Sequence, residues 1–189
     1  MRTLLALIAL VVLVVGCVIA YDRWFVQRHG ASDAKNATYL IEGTAVMLKD
    51  GLAQTPAAPG SASTIVTRYF GNEIVADLDG DGRQDVAFIL TQQGGGSGTF
   101  YYAVAALNTK DGYVGSDGYL LGDRIAPQAT TLSPDGKQKG VVVFNYADRA
   151  PGEPMSASPS VGKSVYLKLD RATMQWGIVQ PDFEGESAR

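Results

Sequence analysis

A single, mainly β domain, a small sandwich or barrel-like body behind an N-terminal transmembrane or signal helix, is the fold class this sequence predicts. Three observations lead there. Short runs rich in β-branched and aromatic residues recur between Gly, Pro, Asn and Asp turn signals along most of the 189 residues, the pattern of an all-β body. Beyond the first twenty residues no stretch keeps a helical apolar period over three turns. Leu4 to Ala20, by contrast, is seventeen residues without a charge, about 25 Å if helical and near the lower limit for crossing a bilayer.

That first segment is followed by Tyr21, Trp24 and Phe25, suited to a membrane interface, with Arg23 and Arg28 able to snorkel. An uncleaved anchor is one reading of it and a cleaved signal is another. Val14-Val15-Gly16-Cys17 resembles the lipobox of bacterial lipoproteins, which implies a lipid on Cys17. The Lys and Arg residues flanking the segment mildly favour a cytoplasmic C-terminal side. The acidic loop described below favours export, because weak calcium sites, with dissociation constants of ~10⁻⁴–10⁻³ M, work where calcium is plentiful. The expected organisation is anchor or lipoprotein signal over 1–28, connector over 29–37, β-rich extracytoplasmic domain over 38–183, and frayed tail over 184–189.

Inside the domain the elements follow in order. Tyr39–Ile41 and Thr44–Leu48 read as strands closed by the turn Lys49-Asp50-Gly51, and Gln54–Ala62 as a Pro/Gly/Ser/Ala loop. Thr64–Phe70 alternates, turns at Gly71-Asn72 and resumes over Glu73–Ala76. Asp85–Gln92 and Phe100–Leu107 are apolar on both faces, so the second is expected at the centre of a sheet. Lys110–Gly118 reads as a turn region, Tyr119–Leu121 and Gly140–Tyr146 as strands, and Ala150–Val161 as a long Pro/Ser/Gly loop. Val165–Leu169 and Met174–Val179 can close a hairpin through Asp170-Arg171.

The chemistry concentrates in Asp77-Leu78-Asp79-Gly80-Asp81-Gly82-Arg83-Gln84-Asp85. Four aspartates in nine residues repel one another unless a cation sits between them. Ca²⁺ suits the loop because it takes six to eight oxygen ligands in flexible geometry. Alternation turns Asp77, Asp79 and Asp81 inward, Gly82 allows the turn, the Arg83 carbonyl can face the ion, and Asp85 closes the shell. The start matches D-x-[DN]-x-[DN]-G. Position twelve is Phe88 instead of a bidentate Glu, and the flanks are strands, so the loop is not an EF-hand.

The string Ala76–Ala87 resembles the calcium loops of FG-GAP and integrin-type β-propeller repeats, D-x-D-x-D-G-x-x-D before a strand. That resemblance implies calcium ligation by Asp77, Asp79, Asp81 and Asp85. It covers about a dozen residues in a single copy, whereas a propeller needs several blades. The region from Pro59 to Pro154 also resembles small membrane-anchored bacterial proteins that carry no assigned activity.

Other motifs yield plainer readings. Ala157–Ser164 matches a permissive phosphate-loop pattern, but Pro159 interrupts it and Val165–Leu169 alternates like a strand, so no nucleotide is expected. Gly94-Gly95-Gly96-Ser97-Gly98 is a flexible connection. Asp123-Arg124 and Asp148-Arg149 echo each other and can form a polar site if their loops meet. Residues after Gly30 carry 13 basic and 18 acidic groups, net charge near −5, with no basic run for nucleic acid. The sole histidine, His29, and the sole cysteine, Cys17, lie in or beside the apolar segment, which leaves no triad, thiol pair or zinc set. The expected function is a non-catalytic, calcium-stabilised binding or structural module anchored at the bacterial cell envelope, meeting an envelope glycan or protein. The alternative is a calcium-dependent hydrolase of envelope glycans.

Overall fold

The computed structural model describes residues 31–58 and 60–180, and over them the chain is mainly β. Its strands are Thr38–Ile41 (β1), Thr44–Met47 (β2), Leu52–Pro56 (β3), Thr64–Ala76 (β4), Asp85–Gln93 (β5), Phe100–Thr109 (β6), Gly112–Gly115 (β7), Tyr119–Asp123 (β8), Ala126–Leu132 (β9), Val141–Asp148 (β10), Val161–Asp170 (β11) and Gln175–Ile178 (β12). The only helical element described is the 3-10 turn Ala34–Asn36, capped by the Asp33 carboxylate on the Lys35 amide. The apolar segment Leu4–Ala20 and the tail Glu184–Arg189 lie outside the described residues. Among those described, no helix is long and apolar enough to cross a membrane.

Three antiparallel sheets result. The hairpin β1–β2 stands alone, a six-stranded sheet runs β3-β4-β5-β6-β7 with β8 also on β6, and a four-stranded sheet runs β12-β11-β10-β9. β5 and β6 bury both faces, as their two-sided apolar pattern requires. On one face Ala87, Ile89, Ala103 and Ala105 pack with Val142, Phe144 and Leu167 of the four-stranded sheet. On the other, Phe88, Leu90, Tyr102 and Val104 pack with Tyr39, Ile41, Val46 and Leu48 from the hairpin side. Side-chain alternation at period two sorts each strand's residues into these two cores.

Several boundaries differ from the sequence reading, each for a physical reason. Gly71-Asn72 does not end a strand: β4 runs on as one element of 13 residues. Its pairing with β5 shifts register there, and Gly71 and Asn72 sit at φ of 117° and 49°, so the turn-forming pair is used as a bulge. The sequence reading puts the end of β3 in a loop and β7 in a turn region, and assigns no element to β9. Two of them contain proline, which is tolerated because both are edge strands. β7 is four residues with a glycine at each end. β11 begins at Val161, so the phosphate-like string Ala157–Ser164 runs into a strand, with no helix N-terminus. Residues 31–37, expected as connector, already join the domain: Ala31 pairs with Tyr113 through two backbone bonds of 2.9 Å, and Ala34 and Ala37 are buried.

Candidate metal centre

The aspartate loop connects β4 to β5 at one end of the six-stranded sheet. Gly80 and Gly82 adopt φ of 81° and 86°, a region open mainly to glycine. The backbone therefore curls so that its amides face the first aspartate. Asp77 Oδ1 accepts from Gly80 N at 2.7 Å and Asp81 N at 3.1 Å, and Oδ2 accepts from Gly82 N at 3.0 Å. Partial burial works to raise the Asp77 carboxyl, but the amides of Gly82, Gly80 and Asp81 and the Arg83 charge outweigh it and hold it below the usual carboxylate value.

Asp85 is the opposite case. It has no exposed surface at the start of β5, where its Oδ2 accepts from Leu78 N and its Oδ1 from Asn108 N of β6, each at 2.8 Å. Burial pushes its carboxyl up and the neighbouring Asp79 and Asp81 add to the rise, while the two amides only partly offset them. A dication held at this point would supply the missing positive charge. Leu78 holds the loop from beneath: its side chain is buried in the core between the two larger sheets.

Oxygens of Asp77, Asp79 and Asp85 converge, all within 4.8 Å of one another. Two ligands on opposite sides of a Ca²⁺ ion bound at about 2.4 Å are about 4.8 Å apart, so one ion can touch all three. The other expected ligands behave differently. Asp81 lies outside this trio, its Oδ1 on the Arg83 amide at 2.8 Å and its Oδ2 on the Arg83 guanidinium. Arg83 was expected to offer only its carbonyl, yet its side chain takes part as well, with Nε donating to Asn108 O. Arg171 stands 4.0 Å from Asp79. Two cavities of about 850 Å³ and 470 Å³ flank the loop and share Asp79 and Arg171 as a wall.

The echoing Asp-Arg pairs do meet in space. The Arg149 guanidinium donates to the carbonyls of Ala157, Asp123 and Arg124 at 2.7, 3.3 and 3.1 Å. Asp123 pairs with Arg124 and Asp148 with Lys163. Arg149 is thus committed to backbone oxygens and fastens the β10–β11 connection to the β8–β9 turn. Asn108 carries no motif, and only the pairing of β6 with β5 brings it to the loop, whereas Leu78 and the Arg83 side chain sit within the loop at positions the pattern leaves open. Compared with protein-family models, curated proteins and solved structures, the chain gives no match.

Proposed function

We propose that this chain is a non-catalytic binding or structural module of the bacterial cell envelope, tethered by Leu4–Ala20, with its two larger sheets forming a sandwich stabilised by Ca²⁺. One observation carries the metal: Asp77, Asp79 and Asp85 converge at the mouth of β5, with Asp85 held in the fold by backbone amides. Aspartate spacing that resembles FG-GAP loops supports calcium as the ion. Binding closes the loop on β5, whose side chains serve both cores, so the ion stabilises the whole domain.

The hydrolase alternative requires a carboxyl held protonated for use as a general acid. Outside the loop, the Lys163 ammonium chiefly holds the Asp148 carboxyl below the usual carboxylate value, and the Thr173 and Ala172 amides do the same for Asp170. Both move the wrong way for that role. Both cavities border the aspartate loop, which favours a recognition surface beside the ion.

Thermal melting of the full chain in detergent micelles tests the metal. With ~10 mM Ca²⁺, ten- to a hundredfold above a Kd of ~10⁻³–10⁻⁴ M, native-state binding adds about 1.4–2.7 kcal/mol, or roughly 3–10 °C. Mg²⁺ substitutes poorly, since it demands strict octahedral geometry and sheds water reluctantly. Asp79→Ala abolishes the response. Asp50→Asn, in a turn with φ of 50° that Asn tolerates, preserves it. Identical melting in EGTA and Ca²⁺ would reduce the loop to a polar turn.

The tether has its own test. In a bacterial host, protease added to intact spheroplasts is expected to digest the chain beyond Gly30, and digestion only after lysis would reverse the orientation. Cys17→Ser separates the two anchors: loss of membrane attachment together with a lipid mass marks the lipoprotein, and retention of attachment marks the helix.

A further inference from the structure

Four aspartates share one loop, but three converge while Asp81 faces away toward Arg83. The Arg83 guanidinium does two things at once. Nη2 neutralises Asp81 Oδ2, and Nε donates to the carbonyl of Asn108 on β6. The amide of that same Asn108 donates to Asp85 Oδ1 at 2.8 Å. Arg83 and Asp85 therefore grip one residue of β6 from its two peptide groups and hold the loop against the sheet. An arginine fork can make both contacts from a single planar group, which a lysine ammonium cannot reproduce.

We propose that Arg83 is an internal stand-in for the cation: its side chain latches the metal-free loop through Asp81 and Asn108, and metal capture proceeds by exchanging Asp81 from the guanidinium to the ion. This rests on the calcium reading above and adds the residue that sets the site's affinity. The Asp81 carboxylate cannot serve both cations fully. Every calcium ion bound must displace an existing ion pair, and a positive charge remains beside it. Arg83 thus keeps the loop folded when calcium is scarce and weakens binding when calcium is present. The Arg83 carbonyl is untouched by side-chain substitution, so the latch can be altered without removing that ligand.

Calorimetric titration with CaCl₂ and melting in EGTA, both on the full chain in detergent micelles, test the exchange. Arg83→Gln is expected to bind calcium about two- to fivefold tighter, the range that measured couplings of exposed ion pairs allow, and to melt lower than wild type in EGTA. Arg83→Lys, which keeps the charge and loses the fork, falls between them on both measurements. Unchanged or weaker calcium affinity in Arg83→Gln, with wild type binding normally, overturns the exchange. If wild type gives no calcium heat, the metal reading fails and the exchange fails with it. The EGTA melts then decide the latch alone, and equal melting of wild type and Arg83→Gln overturns that too.

Discussion

Phe88→Ala is expected to cost about 3–5 kcal/mol, the range for emptying a buried phenylalanine site, out of a total stability on the order of 5–15 kcal/mol. Phe88 has no exposed surface and sits at the middle of β5. Its ring meets Tyr39 edge-on at 5.6 Å and Tyr69 at 5.1 Å with a 50° tilt. Both partners are anchored in turn. The Tyr39 hydroxyl donates to Ala34 O at 2.6 Å, and the Tyr69 hydroxyl to Glu73 at 2.5 Å. Neither ring can slide into the space left behind. Phe70→Ala is the matched control, since Phe70 is 44% exposed and meets Tyr101 edge-on at 5.4 Å. Its cost is expected near 1 kcal/mol. Urea unfolding of the full chain in micelles compares the two. Equal midpoints would mean that the hairpin side is not packed as a core against the sheet.

Phe88 also shows how one residue's sequence context is read in two ways. It occupies the twelfth position of the acidic motif, where an EF-hand has a bidentate carboxylate, and its apolar character correctly placed the loop before a strand. The two-sided apolarity of Phe88–Leu90 and Tyr101–Ala106 made the central strands legible, because period-two alternation needs no tertiary information. β3, β7 and β9 were not legible. Their proline and glycine content signals turns, and only pairing with a neighbour makes an edge strand of them. Gly71-Asn72 was misread for a related reason: the same positive-φ residues serve a hairpin turn or a bulge, and the partner strand decides which.

At the site, alternate spacing correctly brings Asp77 and Asp79 together, but the same alternation also turns Asp81 inward, and the structure pairs Asp81 with Arg83 instead. What the sequence hides are the contacts that cross between elements. Asn108 lies 23 positions after Asp85 and meets it only because β6 pairs beside β5. Arg83 is two residues from the nearest expected strand, and its guanidinium finds Asp81 and Asn108 through the curl of the loop. An arginine two residues beyond an aspartate is common on any surface. Its significance comes from the strand end placed within its reach.

Gly140→Ala is expected to be nearly as damaging as the core substitution, and to disturb the proposed metal site from outside the loop. Gly140 precedes β10 at φ of 70°, and a Cβ added there would lie 2.4 Å from the carbonyl oxygen of Leu78. Both obstacles are backbone, so no side-chain rotation relieves them. A left-handed non-glycine residue costs about 1–3 kcal/mol, and forced displacement in a packed region adds about 1–3 kcal/mol. The displaced residue is the second of the aspartate loop. Leu78 N holds Asp85 Oδ2 at 2.8 Å, and its side chain is buried in the core between the larger sheets. Moving the Leu78 peptide therefore pulls a donor from the buried Asp85 and changes its position relative to Asp77 and Asp79. Two readouts separate this from general loss of stability. Melting in EGTA should fall by roughly 5–15 °C, and the calcium-dependent rise should shrink in whatever folded fraction remains. Gly136→Ala, four residues earlier in the same connection with no atom within 4 Å of its added Cβ, should change neither. A Gly140→Ala protein that melts lower but keeps the full calcium response would show that the β9–β10 connection supports the sheet without positioning the aspartates.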